Sequence, residues 1–423
     1  MNSNGAPVEN EAAPKPGFLA RTFLSLQYRD YRLLWLGSIT EHAGEWMEGL
    51  ALTWLVWERT HSTFSVALIT TCRGLPLLLV PFLGGMAADR FDRRHLLRLT
   101  LLAMALGSLV ILLLNQAGAL LTWYIYVYAL VAGCITGFNH PTRATLLPNL
   151  VKREHLMNAI SLDNISVTGA RILLVPVAGY IMERLGTESG TSVILGTRIA
   201  FCILALVWLQ RLVAPPTPKR ARQPFWRELG EGLRYSSQHK AVFSLQFLFI
   251  IPLILLMPMQ NVLLPAFADD VLHIGVGGLG LLQGVAGAGS VIGLLFIAFI
   301  GNFKGKGRLF FVLAVTQSVF FLMFASSRWV ALSFPLLLLA MSNQNSKDAV
   351  WNTMMQTNIP DEVRGRVMSI RETMRGFMPL GGLMMGALAD AVGPAQTLAV
   401  LAAIHGAVLL TAAFLLPNVR KLE

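Results

Sequence analysis

The chain has 423 residues, 54% of them hydrophobic and only 13% charged, with a mean hydropathy of +0.59 and a net charge of +11. A soluble domain is about 45–50% apolar and about 25% charged, so the composition excludes a water-soluble globular fold. The surplus positive charge recurs in alternate short loops between apolar stretches instead of forming one stripe, so no nucleic-acid partner is expected.

Residues 1–17 are rich in Pro, Asn, Glu and Ala and have no apolar h-region, which predicts an unstructured tail and no cleaved leader. A span needs about 20 mostly apolar residues to cross a hydrocarbon core of about 30 Å. Runs of that kind predict helices at 31–57, 64–88, 95–115, 119–142, 155–182 and 191–213, then at 241–267, 276–300, 308–326, 329–352, 365–389 and 395–416. Backbone groups in lipid must be satisfied internally, and no barrel-like alternation is present, so an all-α membrane protein of twelve transmembrane helices is expected. Residues 214–240 are the longest hydrophilic interruption, with a possible surface helix at Phe225–Tyr235 or a plain solvated tether. The expected organisation is therefore an N-terminal tail (1–30), a six-helix bundle (31–213), a linker (214–240), a second six-helix bundle (241–417) and a C-terminal tail (418–423).

Basic residues set the direction of threading. One set of loops carries Arg21, Arg29, Arg32, Arg90, Arg93, Arg94, Lys152, Arg153, Lys304, Lys306, Arg308, Arg364, Arg366, Arg420 and Lys421, while the opposite set carries Arg59, Arg184 and Arg328. The positive-inside rule then places both termini, the tails and the linker in the cytoplasm. Trp54, Trp57, Trp123, Tyr124, Trp208 and Trp329 fall near span ends, where an aromatic belt is expected. Cys72, Cys134 and Cys202 lie inside apolar segments with no metal or disulfide spacing, so no metal site is expected. The halves echo each other: residues 150–161 align with 358–369 at an offset of 208, and GYIMERLG (179–186) with GALADAVG (386–393) at 207. This predicts a parallel duplication about an axis normal to the membrane.

Between the second and third segments lies GGMAADRFDRR (84–94), with Gly85, Asp89, Arg90, Arg93 and Arg94 in a GxxxDRxxRR pattern. Glycine permits a tight cytoplasmic turn, and the arginines satisfy the positive-inside rule and can hold carbonyls or phosphates. This loop resembles the signature of the major facilitator superfamily. The stretches 25–39, 44–60, 137–151 and 358–369 look like its secretion-type exporters, a branch that includes enterobactin exporters and macrolide efflux proteins, and the resemblance runs from about residue 25 to the end. Two motifs depart from the family pattern. Asp92 stands where the loop usually has Gly, and the antiporter motif expected as GPxxGG keeps only Pro176 and Gly179. The resemblance implies a major facilitator fold in two pseudo-symmetric halves that alternate access, with Asp89 as a gate contact. It also implies proton-coupled efflux of a small amphipathic or drug-like compound by a monomer in the cytoplasmic membrane, with no cofactor beyond the gradient. A lysolipid-like substrate, or a sensor without flux, remains as an alternative.

Ionisable side chains at membrane depth cost about 2.5–3.5 kcal/mol each and mark functional positions. Glu41, Glu45 and Glu48 share one face of the first helix, so not all three can hold a charge comfortably and one is a candidate proton carrier. Glu45 is expected to meet Arg73 near mid-span, as a proton site or as a static pair bracing two helices. Asp163 and Arg171 lie eight apart on the fifth helix and are expected to line the path. Glu372 and Arg375 lie one turn apart. Asn139 and Lys347 are offset by 208, and with Asp348 they suggest polar clusters at matched depth, either a gate or inter-helix glue. No HExxH, GxSxG or GxxxxGK[ST] motif is present, so neither an enzyme nor an ATP-driven pump is expected.

Overall fold

The computed structural model describes residues 23–78, 80, 92–212, 230, 234–301 and 303–422. Its helices are α1 (Arg29–Thr60), α2 (Thr63–Gly74, running on into a 3-10 turn), α3 (Arg93–Gln116), α4 (Thr122–Leu146), α5 (Leu156–Leu185) and α6 (Thr187–Gln210). After the linker come α7 (Lys240–Leu255), α8 (Gly275–Ile300), α9 (Lys306–Ser326), α10 (Val330–Thr357), α11 (Asp361–Arg375), α12 (Met378–Val392) and α13 (Pro394–Leu415). Among the described residues there is no strand.

Among the described residues seven helices, counting short continuations, are long and apolar enough to cross a membrane: α3, α5, α6, α7, α8, α9 and α13. The others fall short for local reasons. α1, α4 and α10 carry polar or charged side chains inside their spans, the segment expected at 64–88 is described only to residue 78 and at residue 80, and the segment expected at 365–389 is broken into α11 and α12. The segment expected at 241–267 is also broken. Proline lacks an N–H and clashes with the preceding turn, and α7 stops after Pro252. A turn with Pro258 at the cap of Met259–Val262 follows, and then a π-turn at Phe267–Val271. Of the expected linker, only residues 230 and 234–240 are described, so the helix foreseen at Phe225–Tyr235 lies mostly outside the described residues.

α1 packs on α5 and α6, α3 on α4 and α6, and α2 on α4. Later in the chain, α8 packs on α10, and α9 on α10 and α13. The broken seventh segment touches α1 and α2, and two more extensive contacts join the early helices to the late ones: α5 on α8, and α12 on α2. They are one contact made twice. A Cβ on Gly179 of α5 would stand 2.8 Å from the Val276 carbonyl oxygen of α8, and a Cβ on Gly386 of α12 would stand 2.8 Å from the Thr63 carbonyl oxygen of α2. These glycines open the two echoed sequence segments. Both segments end on a glycine with positive φ, Gly186 at 79° and Gly393 at 91°, a conformation that costs glycine nothing.

The aromatic belt needs correcting. Trp123 and Trp329 are exposed, but Trp54 and Trp57 are buried. Their indole N–H groups donate to Glu58 (3.1 Å) and Asp269 (3.0 Å), the kind of partner a buried indole requires, and they brace the end of α1 instead of meeting lipid. Cys202 is buried, while Cys72 and Cys134 are half-buried, and all three are free thiols.

Candidate functional site

The three glutamates of α1 each meet a different cation. Arg143 of α4 pairs with Glu41, whose other oxygen accepts from Asn139 Nδ2 at 2.9 Å. Glu45 accepts from Arg73 of α2 at 2.7 Å, with His42 Nδ1 at 3.4 Å on its other oxygen. Glu48 accepts from the Ser108 and Tyr128 hydroxyls, both at 2.7 Å, and lies 3.7 Å from Arg198 Nε. The like-charge crowding implied by the spacing is therefore relieved cation by cation. Arg143, Ser108 and Tyr128 were not visible as partners. Arg143 follows GFNHPT and looks like a span end, and the hydroxyls carry no charge to reveal them.

Burial separates the three pairs. The Glu41 and Arg143 side chains are 8% and 7% exposed, and those of Glu48 and Arg198 are 1% each, whereas Glu45 and Arg73 are 24% and 26% exposed. Removing one partner from a sealed pair leaves an uncompensated charge and costs about 3–5 kcal/mol. The first and third pairs are thus sealed between helices, and Glu45–Arg73 is the partly exposed one of the three.

Arg171 of α5 donates to the Gln260 side-chain oxygen and stacks over the Trp46 ring of α1 at 4.9 Å. It has no carboxylate within ion-pair distance among the described residues. A cation–π contact contributes about 0.5–2 kcal/mol against about 2.5–3.5 kcal/mol for an arginine at mid-membrane, so its charge stays under-compensated. Asp163, two turns earlier, does not reach it and lies near Tyr31.

In the later helices Lys347 is buried. It donates to Gln317 Oε1 at 2.9 Å and lies 3.8 Å from Asp348. Gln317 donates to Gln344 at 3.2 Å, and Ser318 lies 2.7 Å from His405, a buried histidine the sequence did not single out. Asn139 bonds Glu41 of α1 and Thr100 of α3, while Lys347 of α10 bonds Gln317 of α9. The matched positions thus bond neighbouring helices within each set, and they do not meet each other. Arg375 is exposed, and the Glu372 side chain lies outside what is described.

Gly85, Asp89 and Arg90 of the signature loop lie outside the described residues. Arg93 donates to the Thr145 carbonyl at 3.0 Å and Arg94 to the Leu212 carbonyl at 3.1 Å, tying the start of α3 to the ends of α4 and α6. Asp92 caps α3, accepting from the Arg94 backbone N–H at 2.8 Å. Partial burial pushes its carboxyl up, but the hydrogen bonds and charge of Arg94 outweigh this and hold it below the usual carboxylate range.

A second carboxylate site, unforeseen, lies at the other end of the bundle, where α1 turns into α2. Asp390 of α12 accepts from Ser62 Oγ (2.6 Å), Thr63 N (2.7 Å), Thr63 Oγ1 (2.5 Å) and Phe64 N (3.3 Å), so it caps the start of α2 from across the bundle. Its repeat counterpart is Glu183 of α5, whose carboxylate occupies the space a Cβ on Gly277 would need in the first turn of α8. A carboxylate at a helix N-terminus is favoured by unpaired N–H groups and the helix dipole. Pro176 and Gly179, retained from the antiporter motif, pack on Gly284 and Gly280 of α8.

A family model for major facilitator proteins, described as transmembrane secretion effector, matches residues 20–423. The chain is 23% identical to the staphyloferrin A transporter of Staphylococcus aureus over 362 residues, covering 85% of this chain and 89% of that one. It is 26% identical to the multidrug efflux pump Tap of Mycolicibacterium fortuitum over 402 residues, covering 92% and 96%. The fold matches a crystal structure of a bacterial homologue of the human lysosomal transporter Spinster in an inward-facing, unoccupied conformation. That match has a TM-score of 0.73 at 14% identity, with 93% and 98% of the chains covered.

Proposed function

The chain belongs to the transmembrane secretion effector family of major facilitator transporters, and from that premise we propose that it is a proton-coupled exporter of a small amphipathic compound. It works by alternating access of two six-helix halves from the cell membrane, with both termini in the cytoplasm. The observation that carries the coupling is the contrast in burial among the three glutamate pairs of α1: only Glu45–Arg73 is open, each side chain about a quarter exposed. Protonation of Glu45 releases Arg73 and leaves that guanidinium seeking another acceptor. The energy of the gradient then acts on the contact between α1 and α2.

With the positive-inside orientation, the α1–α2 end faces outward. There the Asp390 and Glu183 contacts join early helices to late ones, which supports assigning this state as closed on the outside. Opening outward requires both to break, and the Asp89 loop would then close the cytoplasmic end. The test is extrusion of a drug panel from cells with and without a proton gradient. Glu45→Gln abolishes gradient-driven extrusion at unchanged membrane abundance. Gradient-dependent extrusion by this variant at the wild-type rate would exclude Glu45 as the coupling residue.

A further inference from the structure

We propose that Arg171, Trp46 and Gln260 form a subsite for the carboxylate of a flat, largely apolar cargo, so that the transported compound is an organic anion. The proposal rests on the transport reading above and adds the chemical class of the substrate.

The site lies at the middle of three helices. Trp46 is near the centre of α1, Arg171 of α5 and Met341 of α10, while Gln260 comes from the broken end of the seventh segment. Helices from both sides of the proposed division therefore meet at one point. Trp46, Arg171 and Gln260 are each partly exposed, whereas Met341 behind them is fully buried.

Hydrogen-bonding capacity at this point is one-sided. Arg171 spends one N–H on Gln260, and its buried Nε has no acceptor. Among the described residues the Gln260 amide N–H, at 2.9 Å, has only the Met341 sulfur to donate to, and a thioether is a weak acceptor. The indole beneath Arg171 offers a π face and no oxygen. The cluster is thus rich in donors, poor in acceptors and positively charged, with no carboxylate of this chain in contact among the described residues. The cation Arg73 of α2 differs, because its charge is matched by Glu45 at 2.7 Å. A carboxylate supplies two acceptor oxygens and the missing negative charge in a geometry that a guanidinium receives well. Trp46 offers a flat apolar wall for the remainder of the cargo.

Calorimetric titration of the purified protein in lipid nanodiscs tests this with matched probes: benzoate, salicylate, naphthoate and citrate, and the amides of the three aryl acids. The expected result is that at least one aryl acid binds about tenfold or more tighter than its own amide, the size of one charge-assisted hydrogen bond. Arg171→Gln removes that gap by weakening the acid alone, and Arg171→Lys keeps part of it. A thermal melt matching that of the wild type shows that the variant is folded. The proposal is overturned if no acid binds the wild type, if acid and amide bind alike, or if Arg171→Gln weakens both equally, which would make Arg171 a contact between helix sets only. Proton movement is followed separately with the same protein. Arg171-dependent acid binding without proton movement would sink the coupling reading and leave the subsite standing.

Discussion

Arg198 and Arg73 are both arginines facing a glutamate of α1, yet the structure asks different things of them. Arg198 also donates to the Glu41 backbone carbonyl at 2.6 Å and is 1% exposed. Replacing it with Met strands Glu48, so Arg198→Met should lower stability by about 3–5 kcal/mol and reduce membrane abundance. Adding Glu48→Leu removes the stranded charge and should recover much of that loss in a thermal melt of the detergent-solubilised protein. A double variant no more stable than Arg198→Met would mean the pair is not the brace inferred here. Asp92 gives a second test. Asp92→Ala removes the cap of α3 and should cost about 1 kcal/mol. The Asp92 carboxyl is held below its usual range, so its contribution is full above the ordinary carboxylate pKa and fades as pH falls through the lowered value. The melting difference between Asp92→Ala and wild type should therefore be present at neutral pH and shrink in acid. A difference that grows in acid would reverse the assignment. Residue-scale chemistry was legible where charge stood out against an apolar background, as for Glu45 and Arg73. Their sealed neighbours were not, because Tyr128 and Ser108 are ordinary residues until the fold brings them to Glu48.

At the scale of helices, the sequence echo at an offset of 207 located the elements that meet. It did not say what they meet. Gly179 and Gly386 open the echoed segments, but that each lies against a backbone carbonyl, on α8 and on α2, is a long-range fact. The Asp390 contact was hidden for the same reason: an aspartate at a span end looks like a solvated charge until Ser62, Thr63 and Phe64 arrive across the bundle. Asp390→Ala should release the start of α2 and lengthen the distance between spin labels at His61 and Val392, with a larger open population than in wild type. An unchanged distance distribution would show that the contact does not hold this end shut. Gly386→Leu should push α12 from α2 and move the same distance in the same direction. The breaks in the seventh segment trace to Pro252 and Pro258, which stand in the sequence itself. The break between α11 and α12 was not foreseen, although Arg371, Glu372 and Arg375 lead into Gly376 and Pro379 sits in the first turn of α12.

At the scale of the whole molecule, composition alone placed the chain in a membrane, and the signature between the second and third segments indicated the family that the comparison over residues 20–423 establishes. The proposed cargo class was not legible, because no charge pattern in the sequence distinguishes Arg171, with no carboxylate in contact among the described residues, from Arg73, which meets Glu45. That distinction depends on which helices converge at mid-membrane. The most direct measurement is internal pH in proteoliposomes holding purified wild-type protein or Glu45→Gln, challenged with cationic drugs, macrolides, siderophores and aryl carboxylates. Cargo-dependent proton movement in wild type that is absent in Glu45→Gln is the predicted result. Cargo uptake with no proton movement, or proton movement that survives in Glu45→Gln, would contradict the account and reduce Glu45–Arg73 to a third structural brace.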